Sequence, residues 1–347
     1  MKALVYHAPG KRSWEEKQKP TLKEPTDAIV RLLATSICGT DLHILKGDVP
    51  TVSAGRILGH EGVGLVEEVG PGITQFRNGD RVLISCITSC GRCEACKKGL
   101  LSHCVTGGWQ LGHLIDGTHA EYVRIPHADN SLYLVPNGVD PDGAVMLSDI
   151  LPTGFEVGVL KSAIKPGDSV CIVGAGPVGL AALLTAKLFS PSELIVVDVD
   201  DHRLGLARKF GANRVVNSHD GRGAEKVLAV MSGKGVDVAI EAVGLPATFE
   251  LCQDIVAPGG HLANVGVHGQ GVPLKLDKLW GKNVTITTGL VDTSSIHQLF
   301  KLIGKGLITP RHLITHEYGF DEMPRAWDTF ANAGPEKALK VLIKRRM

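Results

Sequence analysis

SVCIVGAGPVGLAALLTAKLF, residues 169–189, is the stretch that decides the fold of this chain. Val170–Val173 is a short apolar run of the kind that forms a strand covered on both faces. Gly174-Ala175-Gly176-Pro177-Val178-Gly179 follows directly and opens an apolar segment of helical length. A G-x-G-x-x-G pattern is weak alone, but between a strand and a helix it reads as a dinucleotide-binding loop. Gly174 permits the tight turn, Gly176 lets a pyrophosphate approach the backbone, and Gly179 lets helix and strand pack closely. The helix N-terminus would then face the phosphates.

Further along, Asp198 ends the next apolar run, LIVVD. A carboxylate there accepts hydrogen bonds from adenosine ribose hydroxyls and repels a 2′-phosphate. Asp200 and Asp201 add to that repulsion, while Arg203 is a nearby cation able to pair with a phosphate. The balance favours NAD over NADP. The bland alternative is that Asp198 caps the following helix, a task for which Asp200 and Asp201 are better placed.

The same texture repeats outward from this stretch. LIVVDVD, RVVNS, VDVAIEAVG, HLANVGV and NVTITTGLV alternate with helix-length segments, one of them over Ala224–Met231. Six such strands joined by crossovers give a doubly wound parallel sheet of the Rossmann type. Before Pro152 the grammar is different. DAIVRLLAT and GVGLVEEVG alternate with period two, and Gly and Pro punctuate them, as in a compact β domain. The last stretch holds a helix, SSIHQLFKLIGKG, and a strand, KALKVLIK, which should return to the first domain. The expected class is α/β, divided into 1–152, 153–291 and 292–347.

Bulk properties restrict the partners. The chain has 347 residues, enough for two cored domains, and a net charge of +1 gives no electrostatic footprint for nucleic acid. No signal-peptide core and no apolar run of roughly 20 residues is present. A cytoplasmic protein is expected, and a reducing compartment turns clustered cysteines toward metal rather than disulfides.

Two metal-type clusters follow. Cys90, Cys93, Cys96 and Cys104 are spaced C-x2-C-x2-C-x7-C in CGRCEACKKGLLSHC. Four thiolates so close in sequence wrap one tetrahedral ion with no open position, which makes a structural zinc clamp, with iron as the competitor. The lobe should occupy about 86–110. Upstream, Cys38-Gly-Thr40-Asp-Leu-His43 and His60-Glu61 supply a second donor set. A catalytic zinc needs three protein ligands and an open position. Cys38 and His60 are the first two candidates, and Asp149 is the first choice for the third. Glu61 is the alternative third ligand. Each has a bland reading: a buried thiol, a core histidine, a helix cap.

The chain resembles the zinc-dependent alcohol dehydrogenases of the medium-chain dehydrogenase/reductase superfamily, from Met1 nearly to its end. CGTDLH, GHEGVGLVEEVG, the GDRV turn at Gly79–Val82, the cysteine lobe and GAGPVG carry the likeness. GGWQLGHLIDGTHAEY, SDILPTGFEVG and TTGLVD are similar to the bacterial tetrameric secondary-alcohol dehydrogenases. Threonine and polyol dehydrogenases share CGTDLH. Asp198 and the cysteine lobe depart from the bacterial secondary-alcohol pattern, which is NADP-linked.

This resemblance implies a GroES-like catalytic domain joined to the Rossmann domain, with two zincs and NAD. It places zinc ligands at Cys38, His60 and Asp149, the substrate-bonding hydroxyl at Thr40, and the outer end of a proton relay at His43. Cofactor contacts fall at Gly174, Gly176, Pro177, Val178, Gly179, Asp198, Arg203, Val243, Val267 and Leu290, with Lys340 reaching the pyrophosphate. Thr40, Trp109, Leu290 and Val291 fall on the substrate pocket, which is apolar. The implied reaction is reversible oxidation of small alcohols by hydride transfer, with zinc as Lewis acid. The rivals are polyol, diol or threonine oxidation, and a crystallin-like protein that only binds nucleotide. The implied assembly is a homotetramer, or else a dimer.

Overall fold

The computed structural model describes residues 1–345 of the chain. Contacts divide it into two compact units, Ile150–Val291 and Met1–Asp149 with the chain from Asp292 onward. The change of texture at Pro152 lies inside a helix, Ile150–Thr153, which runs on as a π-helix over Gly154–Leu160. Because that rod is continuous, the units part just before it, at Asp149 and Ile150.

The Ile150–Val291 unit is built on a six-stranded parallel sheet. Its strands are Ser169–Val173, Glu193–Asp198, Arg214–Asn217, Val236–Glu241, Val256–Asn264 and Thr285–Thr288. In space they lie third, second, first, fourth, fifth, sixth, the doubly wound order. The order reverses beside Ser169–Val173, so the glycine loop that follows sits at the topological switch point. Every residue of Ser169–Val173 is buried, which explains why the run carries no polar alternation. Helices Pro177–Ala186, Asp201–Phe210, Gly223–Val230 and Pro246–Ile255 make the crossovers. Cys171, Val173, Ile195, Val197, Ala239 and Leu262 share one core cluster under them. Each large aliphatic side chain so buried contributes about 1.5–3 kcal/mol.

Gly179 has a structural job in this packing. A Cβ there would lie 1.9 Å from the carbonyl oxygen of Gly174, so only glycine lets the helix start this close to the loop. Helix Pro177–Ala186 has Pro in its first turn, where no N–H partner is needed, and is buried from Gly179 onward.

The other unit holds a seven-stranded and a three-stranded sheet. Its organising strand is Ala28–Ser36, which pairs antiparallel with Gly62–Val69, Tyr122–Ile125 and the C-terminal strand Lys340–Lys344. Register shifts at Ile29/Val30 and Leu32/Ala34 mark bulges that bend the strand. Trp327, on helix Met323–Ala331, is fully buried in the same cluster as Leu32, Val66 and Val341. Among the described residues no single helix is long and apolar enough to cross a membrane.

Candidate metal centre and dinucleotide loop

Cys38, His60 and Asp149 come from three separate stretches of the first unit. Cys38 follows strand Ala28–Ser36 and caps helix Gly39–Lys46, where its backbone N–H donates to the Asp41 carboxylate at 2.9 Å. His60 follows Gly59, whose φ is +91° and whose Cβ position lies 2.5 Å from the His119 ring. Both facts demand glycine at 59 and turn His60 inward, leaving it 3% exposed. Asp149 is brought in by backbone staples. Cys86 N donates to Ser148 O at 3.0 Å, and Gly62 N donates to Ser148 Oγ at 3.0 Å.

The result is a compact donor set. Asp149 Oδ2 lies 3.4 Å from Cys38 Sγ and 3.3 Å from His60 Nε2. One ligand atom from each of Cys38, His60, Glu61 and Asp149 lies within 4.8 Å of the others. Burial works against a charged His60, yet Asp41, Asp149 and Cys38 outweigh it and hold the imidazole well above its ordinary pKa. Burial, then the Asp149 charge, pushes the Cys38 thiol up. The His60 shift reflects the acidic groups around it, a charge balance that a cation would also meet.

An outer layer, not foreseen from the sequence, orients these donors. Asp41 is fully buried, and its Oδ1 lies 3.6 Å from His60 Nδ1. At that distance the carboxylate acts on the second ring nitrogen through its charge rather than through a hydrogen bond, on the side of the ring away from Asp149. The signal was available in CGTDLH, since the acid is the third residue of a helix that starts at Gly39.

Lys340, which the resemblance places at the cofactor pyrophosphate, has a fully buried side chain paired with Glu61. Its Nζ donates to the Glu61 carboxylate at 2.5 Å and to Ile37 O at 2.8 Å, and Ser36 Oγ bonds the same Glu61 oxygen. Burial disfavours the ammonium, but the Glu61 charge beside it outweighs this and raises the Lys340 pKa. The pairing engages Glu61 Oε2, while Glu61 Oε1 has no hydrogen-bond partner among the described residues and Glu61 remains within the donor set beside Asp149.

Thr40 Oγ1 is 3.7 Å from Cys38 Sγ. His43 is half-exposed and its Nδ1 lies 2.8 Å from Asp48 Oδ2. Trp109 stands edge-on to His60 with ring centres 6.4 Å apart and stacks on His113 at 4.3 Å. Leu290 and Val291 belong to the other unit, the first exposed and the second buried.

The second cluster is local. Cys90, Cys93, Cys96 and Cys104 bring their sulfurs together within 4.8 Å. Backbone N–H groups of Cys96 and Val105 draw the Cys93 pKa down to about 6. Burial, with Cys93 beside it, pushes Cys96 up to about 12. All eight cysteines are free of disulfides.

In the dinucleotide loop, Asp198 Oδ2 accepts from Ala175 N at 2.6 Å, and Oδ1 accepts from Val199 and Asp200 N. Asp198 therefore ties the loop to the second strand of its sheet, while Asp200 caps the next helix by accepting from Arg203 N at 3.1 Å. Val243 and Val267 are solvent-exposed. Glu241, missed in the sequence, is fully buried and accepts from Val243 N, Gly244 N and Thr248 Oγ1, which fixes the turn carrying Val243.

Comparisons with known proteins give the family. Residues 24–137 match the family description "Alcohol dehydrogenase GroES-like domain", and residues 177–305 match "Zinc-binding dehydrogenase". An alcohol dehydrogenase of Cupriavidus necator is 36% identical over 99% of this chain and 98% of its own length. An NADP-dependent isopropanol dehydrogenase of Thermoanaerobacter brockii is 35% identical over 94% of this chain and 95% of its own. A solved structure, zinc dependent alcohol dehydrogenase 2 from Streptococcus pneumonia, superposes with a TM-score of 0.95 at 51% identity and covers 100% of this chain and 99% of its own. With both donor clusters suited to zinc and a doubly wound sheet behind a glycine loop, this chain belongs to the zinc-dependent alcohol dehydrogenases of the medium-chain dehydrogenase/reductase superfamily.

Proposed function

We propose that the chain is an NAD-linked alcohol dehydrogenase that interconverts small alcohols, secondary ones among them, with ketones or aldehydes. The observation that carries this reading is the meeting of Cys38, His60 and Asp149 in one buried, cation-favouring pocket. These three would hold the catalytic zinc, and the four-cysteine lobe would hold a structural one. When bound, zinc supplies a Lewis acid for the substrate oxygen, and the nicotinamide supplies the hydride acceptor.

The chain's own residues do the rest. Thr40, beside Cys38, accepts a hydrogen bond from the substrate hydroxyl. His43 carries the released proton at the solvent end, where Asp48 holds its Nδ1. Trp109 forms an apolar wall, which favours small aliphatic or aromatic substrates over charged ones. Asp198 selects NAD, since its carboxylate at the end of Glu193–Asp198 would repel a 2′-phosphate. The working assembly is a homotetramer in a reducing cytoplasm, where free thiols persist.

The test is zinc quantification with initial rates for NAD and NADP across primary alcohols, secondary alcohols, diols and polyols. Two zincs per chain and NAD-linked turnover are expected. Cys38→Ser should lose one zinc and nearly all turnover; full activity in that variant would remove the catalytic metal. Asp198→Gly should relax discrimination against NADP, and an unmoved ratio of kcat/KM for the two cofactors would clear Asp198 of that role. Faster turnover of polyols or threonine than of simple alcohols would reassign the substrate class.

A further inference from the structure

We infer that Cys86 is a positioning residue for the metal centre: its thiol holds one oxygen of Asp149 so that the other is left for the donor set. This rests on the reading of Cys38, His60 and Asp149 as metal ligands.

The two oxygens of Asp149 face different partners. Oδ2 lies toward Cys38 Sγ and His60 Nε2, at 3.4 and 3.3 Å. Oδ1 accepts from Cys86 Sγ at 3.7 Å. Cys86 is 3% exposed, so its thiol is aimed at this carboxylate rather than at solvent. Its backbone serves the same segment, because Cys86 N donates to the carbonyl of Ser148, the residue before Asp149. The position follows strand Arg81–Ile84, and the turn after it is fixed by Ser85 Oγ, which accepts from Ile87 N at 3.1 Å and bonds Thr293 Oγ1 at 2.7 Å.

A carboxylate ligand free to rotate can offer either oxygen or both to an ion. A donor on Oδ1 would restrain that rotation and keep Oδ2 toward Cys38 and His60, where these residues would hold a zinc. An apolar residue at 86 would satisfy packing equally well, but would leave Oδ1 without this donor. Outer partners of metal ligands are worth about 10–100-fold in metal affinity or activity, and that is the size of effect expected here.

The experiment follows zinc release from the holoenzyme to the chromogenic chelator 4-(2-pyridylazo)resorcinol, with visible spectra of the cobalt-substituted protein. Wild type should release two kinetic classes of zinc. Cys86→Ala and the volume-matched Cys86→Val should speed release of the catalytic class about 10–100-fold and shift the cobalt d–d bands, with the structural class unchanged. Cys86→Ser keeps a donor and should stay within about threefold of wild type, on the same argument. Wild-type release and spectrum in both Cys86→Ala and Cys86→Val would overturn the inference. So would a Cys86→Ser variant as leaky as Cys86→Val, since the retained donor would then make no difference. If wild type itself holds only the structural zinc, the failure belongs to the metal-centre reading, and the inference falls with it.

Discussion

Replacing Lys340 with Met separates two roles that the sequence alone confuses. Lys340 Nζ is fully buried against Glu61 and the Ile37 carbonyl. Met keeps most of the stem volume but strands the Glu61 carboxylate in the core. Breaking a buried ion pair from one side costs about 3–5 kcal/mol, because the remaining charge has lost both water and partner. For a unit of this size each kcal/mol moves Tm by roughly 2–4 °C, so a fall of about 6–20 °C is expected. The loss should depend on pH. Without Lys340, burial holds the folded-state pKa of Glu61 above its unfolded value of about 4.3. A raised carboxylate pKa favours the fold at low pH, and that advantage disappears as pH rises through the folded value. The variant should therefore compare better with wild type at pH 5 than at pH 8. Glu61→Gln/Lys340→Met removes both charges and should recover most of the loss. The assay is differential scanning calorimetry across pH, with NAD affinity measured by fluorescence on the same samples. A single variant with unchanged Tm but NAD bound about tenfold more weakly would refute the argument and return Lys340 to the pyrophosphate.

Three further outcomes follow from the same coordinates. Gly179→Ala places a methyl 1.9 Å from Gly174 O, so NAD binding should be lost or the dinucleotide-binding unit destabilised, and wild-type affinity and Tm together would contradict the packing described. Cys93→Ser should abolish one zinc and lower Tm while the remaining zinc still supports turnover; an intact Tm with that zinc lost would show the lobe is not structural. Asp41→Asn weakens the carboxylate behind His60 Nδ1 and should cost about 10–100-fold in retention of the catalytic zinc, measured by chelator competition.

Much of this molecule was readable before any coordinates. Val170–Val173 and the loop Gly174–Gly179 form a strand, turn and helix at the switch point of the doubly wound sheet. The four-cysteine lobe was equally legible, because all its donors fall within one short segment and its sulfurs converge. In both cases the chemistry depends on residues a few positions apart, and backbone geometry at that range follows from local residue type. Cys38 and His60 could be nominated by type, but the choice between Asp149 and Glu61 could not.

The surroundings of both carboxylates come from partners distant in the chain. Glu61 meets Lys340 across 279 positions, a counter-ion that no local spacing announces. Asp149 reaches His60 and Cys38 because Ser148 is stapled to Cys86 and Gly62, and Cys86 then takes the second carboxylate oxygen. A buried charge must find an opposite charge or a donor wherever the packed chain supplies one, and sequence spacing carries no record of which group arrives. The sequence by itself determined the sheet, the glycine loop and the types of metal donor. Tertiary packing alone decided which partners surround each buried carboxylate, because that depends on which groups desolvation forces together.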